Sequence, residues 1–233
     1  MKKGFSLIES LLATIISLLF ICASLEFFGT ARRVFFRLRD RQERSQAAWA
    51  ALDKIRADLR AAGFGLVRPT RLGLVSGFEQ DGEKWILIRS GGEPALSADA
   101  WAGQTTLAVN QADESWAGRT ICLFDRTRGE TAQVRSSEDG TLELAGPLLN
   151  DYRAGETGAV VLQKTTLYLD PAQHVLRRKA DASPAQPLLE NVGSFVLSID
   201  AGRCLAEVRL SLGAAPEKIY ALSILARNAA LGK

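Results

Sequence analysis

Met1-Lys2-Lys3-Gly4-Phe5-Ser6-Leu7-Ile8-Glu9 is the stretch whose reading decides the fold, because at Phe5 a short basic lead gives way to an apolar run that continues to Phe28. As a helix, residues 5–28 rise about 36 Å, enough to cross a hydrocarbon layer of about 30 Å. Two charges interrupt the run: Glu9, one turn after Phe5, and Glu26 near its far end. A carboxylate at the bilayer centre costs about 2.5–3.5 kcal/mol unless it finds a partner, so Glu9 is a candidate functional residue.

The helix does not stop with the apolar run. No proline precedes Pro69, and Gly29 is the one glycine between Phe5 and Gly63. Strong helix formers dominate Thr30 to Ala62, with Asp40/Arg44, Arg39/Glu43 and Lys54/Asp58 each four apart as surface pairs. Trp49, Leu52, Ile55, Leu59 and Ala62 recur at steps of three or four and form one apolar stripe. The spacing predicts a nearly continuous helix from Phe5 to about Ala62, apolar all round in its first half and amphipathic in its second. Gly63 suits the left-handed position that ends it.

An ordinary secretory signal places a small-residue cleavage site directly after its apolar run, and no A-x-A pattern occurs at that place here. The stretch Lys3-Gly4-Phe5-Ser6-Leu7-Ile8-Glu9 instead resembles the class III leader of type IV pilins and type II secretion pseudopilins. The resemblance implies a leader at residues 1–4, cleavage between Gly4 and Phe5 by prepilin peptidase, and N-methylation of the new Phe5 amine. It also implies that Glu9 docks against the N-terminus of a neighbouring subunit. The competing reading is an uncleaved signal anchor with an incidental glutamate. Residues Leu52-Asp53-Lys54-Ile55-Arg56-Ala57-Asp58-Leu59-Arg60-Ala61-Ala62-Gly63-Phe64 carry a second, less specific resemblance, to the helix end of PilW-type minor pilins and J-type minor pseudopilins. Read without it, Leu52, Ile55 and Leu59 are core and Asp53, Arg56 and Arg60 are solvated.

After Pro69 the period changes. Strand-like segments are Trp85–Ile88, Thr105–Val109, Thr120–Phe124, Thr131–Val134, Thr141–Leu144 and Ala159–Leu169. Phe195-Leu197-Ile199 and Val208-Leu210-Leu212 then alternate with polar residues, and Ile219–Leu225 closes the series. Turn signals stand at Asp81-Gly82, Gly91-Gly92, Asp139-Gly140, Asp170-Pro171 and Ser183-Pro184. Residues 80–113, rich in Gly, Ala and Asp, read as largely irregular. The expected fold class is α+β: a long N-terminal helix (span 5–28, amphipathic continuation 29–62) packed on a mainly antiparallel β domain (63–233), which is pilin-like by resemblance.

The formal net charge is +3, and +1 without Lys2 and Lys3, which gives no ground for a nucleic-acid partner. The arginines are nevertheless clustered, with Arg32, Arg33, Arg37, Arg39, Arg41 and Arg44 directly after the apolar run. By the positive-inside rule they place the large domain in the cytoplasm. The family resemblance places it outside the inner membrane, in the periplasm. A run so close to a span favours an interfacial role over DNA binding.

Cys22 reads as a small apolar residue of the span. Cys122 and Cys204 can form a disulfide in an oxidising compartment, or stand as two buried thiols, Cys204 sharing the inward parity of Val208 and Leu210; both alternatives are open. His174, the single histidine, reads as a solvated turn residue. Glu79-Gln80-Asp81-Gly82-Glu83 offers oxygen ligands to calcium without EF-hand spacing, and a charged hairpin turn explains it equally. No catalytic motif, zinc-like cysteine spacing or phosphate loop is present, so no catalytic residue, metal or cofactor is expected.

The function expected is that of a minor pilin helping to initiate or cap a type IV pilus. Its partners are other minor and major pilins or pseudopilins, prepilin peptidase and the inner membrane. The alternatives are a minor pseudopilin at the tip of a type II secretion pseudopilus, and a membrane-anchored periplasmic binding protein or enzyme that borrows a pilin-like anchor.

Overall fold

The computed structural model describes residues 7–200, 203–213 and 218–230. Helix α1 runs unbroken over Leu7–Ala61, as a stretch without proline and with a single glycine allows. Gly63 ends it with φ 77°, the left-handed backbone that the sequence assigned to it. The Ala62 and Phe64 amides bond back to the Asp58 and Ala61 carbonyls, while the Gly63 amide donates to Ile88 O at 2.8 Å. The helix end is therefore satisfied by the sheet as well as by its own last turn.

The chain forms two compact units, Met1–Ala48 and Trp49–Lys233. The second begins with the last turns of α1 and continues through a short helix α2 (Val67–Arg71). Nine strands follow: β1 (Phe78–Asp81), β2 (Lys84–Gly92), β3 (Thr106–Ala108), β4 (Thr120–Phe124), β5 (Gly129–Glu138), β6 (Thr141–Leu144), β7 (Gly158–Asp170), β8 (Val175–Ala180) and β9 (Gln186–Leu189). They make one sheet in the order β1-β2-β7-β4-β5-β6-β3, with β8 beside β7 and β9 beside β8. Strands β10 (Val192–Asp200), β11 (Leu205–Leu212) and β12 (Ile219–Leu225) make a second sheet, and helix α3 (Arg227–Ala230) comes after it. Neighbouring strands pair antiparallel throughout the described residues. The α+β expectation holds at this level.

Strands β4 and β7 are the centre. On β4, Ile121 and Leu123 face one apolar cluster, with Trp116, Leu142, Leu144 and Tyr152, while Cys122 and Phe124 face another, with Leu66 and Ile88. On β7, Ala159 and Val161 join the first cluster and Val160 and Leu162 the second. Burial on both faces is why these strands read as unbroken apolar runs. At the β5–β6 turn Asp139 and Gly140 both have positive φ, 44° and 72°, the backbone that a two-residue hairpin with native twist requires.

The buried side of α1 in this unit comprises Ala51, Leu52, Ile55 and Leu59, continued by Ala62 just past its end, none more than 2% exposed. Trp49 departs from the expected stripe and is 44% exposed. At 100° per residue it lies about 110° from the middle of that face, and its ring meets Tyr220 edge-on at 5.8 Å. Strands β1, β8 and β9 were not legible as strands, being short and charged or, for β9, holding Pro187. Gly91-Gly92 is not a turn: it lies inside β2 at a bulge against β7. Within 80–113, residues 82–83, 93–105 and 109–113 lack a strand, and two isolated bridges, Leu96 to Val109 and Ala100 to Tyr152, tie the longest of these segments down.

Candidate functional site: the exposed stem

Leu, Ile and Phe side chains fill the stem, residues 7–28 of α1, and stand open: Leu7 is 85% exposed and Phe28 70%. The most apolar 18-residue window of this helix has a mean hydropathy of 2.3 and none of it is buried. Apolar surface on this scale is covered by lipid or by a partner when a protein works, and α1 is long and apolar enough to cross a membrane. Two of its hydroxyls are satisfied locally. Thr14 donates its hydroxyl to Ser10 O and Ser24 to Phe20 O, each four residues back, so these hydroxyls need no outside acceptor.

Glu9 is the acidic residue of the first turn of α1 and is exposed. Gly4 and Phe5, the residues of the expected cleavage and methylation, lie outside the described residues. Beyond Phe28, Arg32, Arg33, Arg37, Arg39, Arg41 and Arg44 are all exposed. Of the expected surface pairs, Arg39 and Glu43 are joined at 2.8 Å, and their hydrogen bond raises the Arg39 pKa further.

The Lys54/Asp58 pair gives way to a longer-range contact that the sequence did not reveal. Arg178 on β8 grips Asp58 with two hydrogen bonds, Nε to Oδ2 at 2.6 Å and Nη2 to Oδ1 at 2.9 Å. This hydrogen bonding raises the Arg178 pKa against the opposing effect of burial. With Trp49 on Tyr220, Asn228 Nδ2 donating to Arg60 O at 2.8 Å and Gly63 bonded to Ile88, the end of α1 is tied to β2, β8, β12 and α3. No spacing rule links residues 120 positions apart.

The remaining candidates do not converge. Cys122 sits fully buried on β4, where burial pushes its thiol up to about 12. Cys204 lies in the turn before β11, half-buried, with φ 53°. One lies in the nine-stranded sheet and the other in a turn of the second sheet, and no disulfide joins them. The inward parity holds for Ala206, Val208 and Leu210 but breaks at Cys204, because the left-handed turn ends the pleat. His174 is exposed at φ 54° in the β7–β8 turn. Glu79 to Glu83 form the end and turn of the β1–β2 hairpin, with Asp81 opposite Lys84, and no acidic or His/Cys cluster suited to a metal occurs among the described residues. A shallow groove of about 350 Å³ is lined by Arg68, Pro69, Glu93, Pro94, Phe124 and Val160, among others.

No protein-family model and no curated protein matches the chain. Among solved structures it is similar to the Gp54 tailspike of Acinetobacter baumannii bacteriophage AP22, in complex with A. baumannii capsular saccharide, at 18% identity and a TM-score of 0.27 over 32% of this chain and 15% of that one. It is similar also to the tailspike protein gp49 from Pseudomonas phage LKA1, at 20% identity and a TM-score of 0.25 over 31% and 15%. The chain spans less than a sixth of either tailspike. Likeness this slight bears on neither fold nor function.

Proposed function

We propose that the protein is a structural subunit of a membrane-initiated filament, a minor pilin that takes part in starting or capping a type IV pilus. One observation carries the reading: α1 presents an unburied apolar stem with an acidic residue, Glu9, in its first turn. A monomer in water has no use for such a surface, whereas a bilayer and then a bundle of like stems would cover it in succession. The K-G-F-S-L-I-E stretch supplies the direction of the argument, since a basic lead ahead of the span marks the place where prepilin peptidase would cut.

In this reading the subunit waits in the inner membrane with its β domain in the periplasm. Cleavage between Gly4 and Phe5 frees an amine that is methylated, and the amine of an incoming subunit pairs with the Glu9 of one already in place. Both charges are costly in lipid, so a pair between subunits favours insertion in register. A minor pseudopilin at the tip of a type II secretion pseudopilus would use the same stem, and residues 52–64 resemble both groups.

Intact-mass measurement of the protein from cells that hold prepilin peptidase tests the reading. The expected species lacks Met1–Gly4 and carries one added methyl group. Protein retaining Met1 in such cells overturns it. Restoration of pili in a minor-pilin-deficient strain, without restoration of secretion in a pseudopilin-deficient one, separates the two filament types.

A further inference from the structure

We infer that one face of α1 just beyond the stem, formed by Arg33, Arg37, Arg41 and Arg44, is a docking surface for anionic phospholipid headgroups. The four follow one another at steps of four, four and three, which at 100° per residue gathers them within about 80° of the helix circumference. All four are exposed. Arg39 holds Glu43 at 2.8 Å and Arg32 lies over the Phe36 ring at 5.5 Å, while Arg33 donates its Nε to the neutral Gly29 carbonyl at 3.2 Å and so keeps its charge. Arg39–Glu43 is the only ion pair of this stretch among the described residues, so the four-arginine face keeps its charge uncompensated, with Asp40 alone at its border.

Charge and position together select the occupant. Arg33 comes five residues after Phe28, about 7.5 Å along the axis from the end of the apolar run. That is the outer edge of the headgroup layer, which is about 5–7.5 Å thick on each side of the hydrocarbon. Helical side chains lean toward the N-terminus, here toward the bilayer, so Arg37 reaches back into the same layer. Arg41 and Arg44 stand further out, and the surface potential fades over about 8 Å at physiological ionic strength. A lipid surface therefore predicts a gradient along the face, with Arg33 and Arg37 dominant. A duplex nucleic acid or an acidic protein would engage all four without regard to depth. The guanidinium fork matches phosphate oxygens in two hydrogen bonds, which a scattered positive charge would not.

The inference rests on the stem crossing a membrane, and the test separates the two. The full chain is reconstituted in phosphatidylcholine vesicles containing a minority of phosphatidylglycerol, with either lipid spin-labelled, and the fraction of label immobilised at the protein is measured. Phosphatidylglycerol is expected to be preferred over phosphatidylcholine, by about fivefold for each arginine near the surface, and the preference is expected to vanish in 1 M salt. Arg33→Gln with Arg37→Gln should remove most of it and Arg41→Gln with Arg44→Gln little. Arg33→Lys with Arg37→Lys should keep a weakened preference, and Arg39→Gln should leave it unchanged. Immobilised label with no headgroup preference overturns the docking surface alone, and retention of duplex DNA by the same protein would then assign the face to nucleic acid. Absence of immobilised label with both lipids overturns the membrane reading and this inference with it.

Discussion

Asp58 and Arg178 decide how the helix end meets the sheet. Their side chains are only 12% and 20% exposed, and removing one partner of such a pair strands a charge in a poorly solvated place. Asp58→Ala is expected to lower stability by about 3–5 kcal/mol, and Arg178→Ala likewise. The double replacement should cost much less than the sum, which a double-mutant cycle by chemical denaturation checks; additive losses would mean that the two do not act as a pair. At the β4–β5 turn, Asp125 accepts from the Thr127 and Arg128 amides at 2.7 and 2.9 Å. Those bonds lower its carboxyl to about 2 from 3.8. A lowered pKa stabilises the fold above the unfolded value, and that stabilisation is lost as pH falls through the folded one. Asp125 should therefore titrate near pH 2 in a carbon-detected NMR titration, and Asp125→Asn should flatten the stability profile between about pH 4 and 2. A carboxyl titrating near 4 would remove the turn's role.

At the scale of elements, α1 is one helix with two occupations. Beyond Trp49 one face of it is interior to the β-bearing unit, with Leu52, Ile55 and Leu59 wholly buried. Leu59→Ala is expected to cost about 2–5 kcal/mol, as deletion at a packed site does. A fragment starting near Thr30 should give a soluble, cooperatively melting domain. One starting at Gly63 exposes the surfaces that these residues cover and should aggregate. Equal melting temperatures for the two fragments would show that the helix end is dispensable. Cys122 follows the same logic on β4: a buried thiol raised to about 12 should resist alkylation at pH 8 until the domain unfolds.

For the molecule as a whole, the prediction concerns Glu9. Glu9→Val removes both the cost of a carboxylate in lipid and the group that would receive a neighbouring amine. Membrane insertion, followed by carbonate extraction of the full chain, is expected to persist. Co-purification with partner subunits and the number of filaments are expected to fall sharply. Normal insertion together with wild-type filament numbers would show that the carboxylate is not the docking group.

The amino-acid sequence by itself determined what depends on neighbours along the chain. It held the continuous helix and its stop at Gly63, because backbone hydrogen bonds within a helix span four residues and proline and glycine act where they stand. It held the central strands β4 and β7 and the strand β12, because apolar runs and alternation are local records of burial. It held the open stem, because a helix that is apolar on every side has no face for water. The tertiary structure alone decided that Asp58 turns from Lys54 to Arg178, that Trp49 leaves the buried face, and that Cys122 and Cys204 are not joined. It also decided that the charged segment of β8 is a strand at all. Each of these is an interaction between residues far apart in the chain, where the competing local choice differs by little and the contact made only on folding tips the balance.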